Sequence, residues 1–307
     1  MVDHWDVLGF GVVAVDDLLY VDHYPGPDSK AEVRERRRDG GGLTGTALVA
    51  ASRLAAKAAF CGVLGDDEVS LWAIQSLERE RVDCSPVLRR PGARPTQSVI
   101  IVDLSTGQRT IFFSRAGVTP RRAEEMTTDL IGRTRVLFVD HTVVEGGLRA
   151  IQIAHALGIP VVGDIESESA PGVAELMTQV DHLIVSVHLA ARLTGGSDPA
   201  AMVRALASPQ RACLAVTAGD QGCWYAERGG QVRHQPAFRV EVVDTTGCGD
   251  VFHGAYAACI AQGQSVSQAI RRASAAAALK ATQPGGRAGI PNRARLERFL
   301  AERAEGS

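Results

Sequence analysis

The chain has 307 residues, 45% of them apolar, enough to bury one large core or two smaller ones. Its 33 basic and 35 acidic residues leave a formal charge of −2, which advertises no nucleic acid or other polyanionic partner. No apolar run is long enough to cross a bilayer, and the opening MVDHWDVLGFGVVAVDD carries four acidic residues, so neither a membrane helix nor a secretion signal is expected.

In chain order, apolar strand-like runs recur at 7–15, 58–65, 135–140, 159–165, 182–187 and 211–219. Helix-period segments at 46–57, 68–80 and 146–158 lie between them. This alternation predicts an α/β fold, a doubly wound, mainly parallel sheet flanked by helices, as one domain over residues 1–307. Ligands bind such folds at the carboxyl ends of the strands. Two stretches break the rhythm. Residues 16–39 alternate like strands around a Pro-Gly-Pro turn, and 86–114 read as a hairpin around Ser-Thr-Gly. Together they predict a small β-sheet lid over about 14–39 and 86–115. The basic run RERRR (34–38), interleaved with Glu32, Glu35 and Asp39, reads as a solvated strand face. Helices are expected at 250–263, 265–282 and 292–304, with the last few residues frayed. The six cysteines (61, 84, 213, 223, 248, 259) show no metal spacing and read as reduced, mostly buried thiols of a cytoplasmic protein.

GFGVVA (9–14) fits the dinucleotide fingerprint, but that site needs a helix from the second glycine, and the following residues stay strand-like. There is no P-loop either. The stretch VVDTTGCGDVFHGAY (242–256) carries more. Gly247 and Gly249 let the backbone curl where a helix starts, aiming the amides of 247–250 one way. Such amides, with the helix dipole, favour developing negative charge. Asp250, in the first turn, is ill placed to bind phosphate and well placed to take a proton from a hydroxyl attacking phosphorus. Plain helix capping is the other reading of these residues.

DTTGCGDVFHGAY (244–256) resembles the C-terminal signature of the ribokinase/PfkB family of carbohydrate kinases, D-T-[TV]-G-A-G-D followed by F-x-G. GGLTGTALVAASRLAAKAAFCGVLGDD (41–67) resembles the family's N-terminal signature, and VTAGDQGCWY (216–225) is similar to its V-T-x-G-x-x-G turn. The resemblance runs over essentially the whole chain and implies a ribokinase-like fold with a β lid. It implies Asp250 as base and the amides of Gly247, Cys248 and Gly249 as anion hole. Asp16, Gly41 and Gly42 would meet the sugar. Asp140 would be either a substrate-facing carboxylate or a strand-end cap. Thr217, Gly219 and Gly222 would border ATP. Asp244 and Thr246, with the loop 280–289 that includes Gly285, match a monovalent-cation site, K+ in several members.

Some positions depart from the pattern. Cys248 replaces an alanine, and Thr46 stands where many members place a sugar-binding asparagine. The family's magnesium-positioning N-x-x-E is missing, with Ser186 and Leu189 in its place, so Mg2+ is expected to arrive with the triphosphate. The C-terminal motifs look most like the branch of sulfofructose kinase and related ketose kinases, in which Lys30 would meet an anionic sugar end. Thr142 and a residue near Phe113 replace other anion-binding residues of that branch, and Arg115 is close enough in sequence to substitute. The expected activity is ATP-dependent phosphorylation of a ketohexose or related acidic sugar, by a homodimer paired through the lid. A nucleoside kinase, using Tyr20, Tyr24, Phe112 and Phe113 as a base shelf, is the alternative within the fold. An inactive sugar-binding regulator is the alternative outside it, and the intact Asp250 and glycines argue against that.

Overall fold

Along the central strands of the larger sheet, successive side chains enter two different apolar layers, the pattern of a sheet covered on both faces. The computed structural model describes residues 4–303. The chain begins with β1 (Trp5–Phe10), β2 (Ala14–Val21), β3 (Val33–Gly41), α1 (Leu43–Arg53), β4 (Ala58–Phe60), β5 (Val63–Leu64), α2 (Glu68–Arg79) and β6 (Leu88–Arg89). It continues through β7 (Thr96–Asp103), β8 (Arg109–Ser114), α3 (Thr128–Ile131), β9 (Thr134–Asp140), α4 (Val144–Ala156), β10 (Val161–Asp164), α5 (Val173–Gln179) and β11 (His182–Ser186). The remainder is α6 (Val187–Thr194), α7 (Pro199–Leu206), β12 (Cys213–Thr217), β13 (Cys223–Glu227), β14 (Arg233–Gln235), α8 (Cys248–Ala261), α9 (Val266–Ala281) and α10 (Arg293–Glu302).

The larger sheet runs β14-β13-β12-β11-β10-β9-β1-β4 and is parallel except for the β13–β14 edge. One face packs against α1, α2 and α8–α10, with Phe60, Phe138 and Ile184 meeting Tyr256 and Leu48. The other packs against α3–α7, with Phe10, Leu137 and Val185 meeting Ile151 and Leu176. The doubly wound class is therefore present, with an antiparallel edge that the sequence pattern did not announce.

Two expected strands are each divided. The run 7–15 ends as β1 at Phe10 and restarts in the other sheet at Ala14. The cause is tertiary: a Cβ on Gly11 would fall 2.1 Å from both Asp140 Oδ2 and Thr44 Oγ1, and the Val12 amide donates to that carboxylate at 2.7 Å. The run 58–65 breaks at Gly62, which sits against the Phe60 ring, into β4 and β5. No helix follows the second glycine of GFGVVA, as the strand-like continuation required.

The smaller sheet has the order β3-β2-β7-β8, with β2 and β7 parallel and the two outer pairs antiparallel. RERRR lies in β3, where Arg38 pairs with Asp17 at 2.9 Å, Arg37 with Asp39 at 3.1 Å and Arg34 with Asp22 at 2.5 Å. Its charges are balanced within its own sheet.

Helix α8 is buried nearly all round, and it can approach α1 because position 254 is glycine: a Cβ there would stand 2.0 Å from the Ala47 carbonyl. The three C-terminal helices begin and end close to their expected bounds. The frayed tail, and the end of the last expected helix at 304, lie outside the described residues. No helix among the described residues is long and apolar enough to cross a membrane. The six thiols are free, and all but Cys248 are buried.

Candidate active site

The carboxyl ends of β1, β9 and β10 lie side by side, with Phe10 in register with Val139, and Asp164 with Asp140. Above them a cavity of about 580 Å³ opens between the two sheets. The main sheet contributes Gly11, His141 and Glu166 to its wall, the small sheet Ser98, Ile111 and Phe113, and the first turn of α8 contributes Asp250. Arg94 and Arg115 bring positive charge to the rim, the latter stacked over the Phe113 ring at 5.5 Å.

Gly247 caps α8 with φ +74°, a conformation that a side chain would oppose, and its Cβ would also meet the Gly286 carbonyl at 2.8 Å. Among the described residues the amides of Gly247, Gly249 and Asp250 have no protein acceptor. The Cys248 amide, expected in the anion hole, instead donates to Thr245 O at 3.2 Å. The Cys248 thiol turns toward α9, with Sγ 3.5 Å from the Ala277 carbonyl, and burial pushes it up to about 11. The open donors of the turn are thus its two glycines and Asp250.

Burial raises the Asp250 carboxyl well above the usual carboxylate range, and the neighbouring Asp164, Glu166 and Asp140 push in the same direction. A carboxylate held up in this way is a better proton acceptor than an exposed one. Asp164 is itself fully buried and raised, chiefly by burial; its Oδ2 has no hydrogen-bond partner and its Oδ1 lies 3.5 Å from His253 Nε2.

The expected sugar-side residues divide. Gly42 lines the cavity at φ +84°, where a Cβ would strike the Val12 carbonyl at 2.6 Å. Asp16 and Gly41 pack against one another just behind the wall: a Cβ on Gly41 would be 2.2 Å from Asp16 Oδ2. Burial raises the Asp16 carboxyl, while the Ser98 hydroxyl and Arg287 oppose the shift. Asp140 is fully buried and accepts from the Val12 amide, Thr44 Oγ1, and the amide and Oγ1 of Thr142. With its oxygens so engaged it ties together the ends of β1, β9 and α1; it does not cap the next helix, α4, whose N-cap is Val143 with no side-chain bond. Thr46 is also buried, its Oγ1 3.5 Å from Arg287 Nε, and does not reach the cavity. Lys30 is exposed in the β2–β3 loop, beside a separate depression of about 290 Å³ with Tyr24 and Glu32. The structure does not bring it to Asp250.

Thr217 ends β12, with Gly219 and Gly222 in the tight turn into β13 at φ +56° and +95°. They continue the same carboxyl edge past β11 and do not line that cavity. Asp244, Thr246 and Gly285 do come together: Asp244 Oδ1 accepts from Thr246 N, and Oδ2 from the Gly285 amide, both at 2.8 Å.

Arg287 lies within the 280–289 loop of the C-terminal motif, but nothing there assigned its side chain a role. It is buried behind the wall, donating to the Gly41 carbonyl at 2.9 Å, and burial lowers its guanidinium to about 10 against the pull of Asp16, Asp39 and Glu80. His141 and Glu166 each follow a buried strand aspartate by one or two residues, a signal that a strand-end search can use.

A mixed, doubly wound sheet with a smaller sheet across its carboxyl edge is the ribokinase-like fold. The chain belongs to the pfkB family of carbohydrate kinases, whose family model matches residues 10–293. It is 32% identical to fructokinase-1 of Zea mays, over 96% of this chain and 97% of that one. A protein of Agrobacterium tumefaciens solved as a candidate ribokinase is also 32% identical, with a TM-score of 0.88 over 97% of this chain and 98% of that one. The Arabidopsis thaliana ribokinase solved with ribose and ATP shares the fold at a TM-score of 0.85 and 20% identity, over 97% and 99% of the two chains. The protein is thus a phosphotransferase of the carbohydrate kinase class.

Proposed function

We propose that the protein transfers the γ-phosphoryl group of ATP to a hydroxyl of a ketohexose or related acidic sugar, with Asp250 as the base. The observation that carries the reading is Asp250 in the cavity wall, its carboxyl raised by burial, beside the open amides of Gly247 and Gly249. The hydroxyl approaches from the small-sheet side, guided by Gly42, with Asp16 behind the wall. Asp250 takes its proton as the oxygen attacks, and the amides receive the charge that builds on the transferring group. The nucleotide lies along the other end of the edge, by Thr217, Gly219 and Gly222. Among the described residues no group of three or more His, Cys, Asp or Glu is placed to hold a metal ion. Magnesium carried by the nucleotide would neutralise its phosphates.

An anionic group on the sugar finds its counter-charge in Arg94 and Arg115, not in Lys30, since only the two arginines line the cavity. A panel of neutral and anionic sugars and nucleosides, assayed for ATP-dependent phosphorylation, tests the reading. Turnover of nucleosides alone would replace it with the nucleoside-kinase one, for which Phe113 offers the stacking surface. For an anionic sugar, Arg115→Met should raise KM about tenfold, the loss of one charge-assisted hydrogen bond, while Lys30→Met leaves KM unchanged. The small sheet also serves as the dimer contact in this reading, its Val99 and Phe112 being exposed; sedimentation of a Phe112→Glu variant checks it.

A further inference from the structure

A loop that binds a bare cation must keep oxygens to spare, and around Asp244 they are already taken. Oδ1 accepts from the amide and Oγ1 of Thr246 at 2.8 and 2.7 Å and faces Arg109 Nη1 at 3.4 Å. Oδ2 accepts from the Gly285 amide at 2.8 Å. The Asp244 carbonyl accepts from the Nζ of Lys280, also at 2.8 Å. Lys280 stands in the last turn of α9, with none of its surface exposed.

The cation-loop pattern expected from the sequence therefore meets a fixed charge. A potassium ion stripped of water beside a buried ammonium would be repelled at short range in a medium that screens poorly. The donors and the ion do not fit one another.

We propose that Lys280 is the cation of this loop, a covalently tethered charge that orders the anion-binding turn, so that the protein needs no potassium there. The tether runs through the main chain: the Val243 and Asp244 amides both bond the Ala281 carbonyl, and Lys280 reaches back to the Asp244 carbonyl. Asp244 in turn fixes Thr246, the residue before the Gly247 cap. The ammonium also sits in the field of Asp244, Cys248 and Asp250, so it steadies negative charge at the start of α8. A resident side chain spends no binding entropy and cannot be dialysed away.

The inference rests on the kinase reading only for its activity arm. Protein prepared in tetramethylammonium chloride is given KCl or NaCl at constant ionic strength, and melting temperature and turnover are followed. The expected result is no potassium-specific change in either. Lys280→Ala, which vacates space beside the same oxygens, should lose about tenfold or more in kcat and gain a potassium-dependent rise in melting temperature. A potassium-specific rise in the melting temperature of the unaltered protein would overturn the proposal, and so would a folded Lys280→Ala variant that keeps full activity. If no sugar is turned over while the melting temperature ignores potassium, the kinase reading fails and the cation assignment stands.

Discussion

Asp140 and Asp164 end adjacent strands in direct register, and both are buried, yet their surroundings differ in kind. Asp140 is surrounded by donors from β9's own turn, the β1–β2 break and α1. Asp164 has one oxygen without a partner and the other at 3.5 Å from a histidine, and it faces the region of Asp250. A satisfied carboxylate is architecture. An unsatisfied one costs stability unless it is protonated, and it is kept where its field is useful. Along this sheet edge the boundary between scaffold and chemistry falls between β9 and β10.

The largest effect that can test this division is at the base. Asp250→Asn should lower kcat by at least ~10²-fold, as expected for loss of a general base, with KM for ATP nearly unchanged. Equal turnover in the two proteins would move the chemistry elsewhere. Next, Asp140→Ala strands the donors of Val12, Thr44 and Thr142, and should cost about 3 kcal/mol in urea unfolding. Asp164→Asn should cost far less at neutral pH, because it removes a carboxylate whose ionised form the fold disfavours. The sign follows from linkage. A raised carboxyl keeps its proton in the folded state to higher pH than in the unfolded chain, so its stabilising contribution is present in acid and is lost as pH rises through the folded value. The Asp164→Asn protein should therefore gain on the parent as pH rises above the ordinary carboxylate range. A constant difference from acid to neutral pH would contradict this.

The smallest effect is a shift of a pH profile. Asp250 works ionised, so kcat should rise with pH on the acid side. Removing the neighbouring Asp164 charge, which helps hold Asp250 up, should move that limb to lower pH. Asp140 pushes the Asp250 carboxyl in the same direction more weakly, and Asp140→Asn should move the limb less. Limbs that coincide in all three proteins would mean that burial alone tunes the base.

The fold class could be read from strand–helix alternation, and the glycine-capped turn that starts α8 from DTTGCGD, because both depend on local sequence. The break at Gly11 could not, since the side chains against it, Asp140 and Thr44, are distant in sequence; the one at Gly62 lies against Phe60, two residues away, and the residue pattern alone does not reveal it. The helices α5, α6 and α7 have seven or eight residues each, too few turns to show a period. For the site, Asp250 and Gly42 were legible as cavity residues, whereas Asp140, Thr46 and Lys30 match a motif position without opening into the cavity. Arg94 sits in unremarkable local sequence, His141 and Glu166 carry only the weak signal of following a strand-end aspartate, and Arg287 lies in the 280–289 loop without a side-chain role that the motif would assign; their placement is tertiary. Motif position predicts which element a residue rides on; where its side chain ends depends on neighbours supplied by other elements.

The bare approach of Gly254 to the Ala47 carbonyl has a mechanical consequence. It seats one main chain on another with no side chain between them, so the joint has no rotamers through which to yield. Gly42 caps the start of one of these helices and Gly247 caps the other, so the gap between Gly42 and Asp250 is fixed by that joint. In the proposed reaction, the compliance that admits the substrate and releases the product would then come from the four strands of the small sheet, bringing the reacting oxygen to a stationary carboxylate.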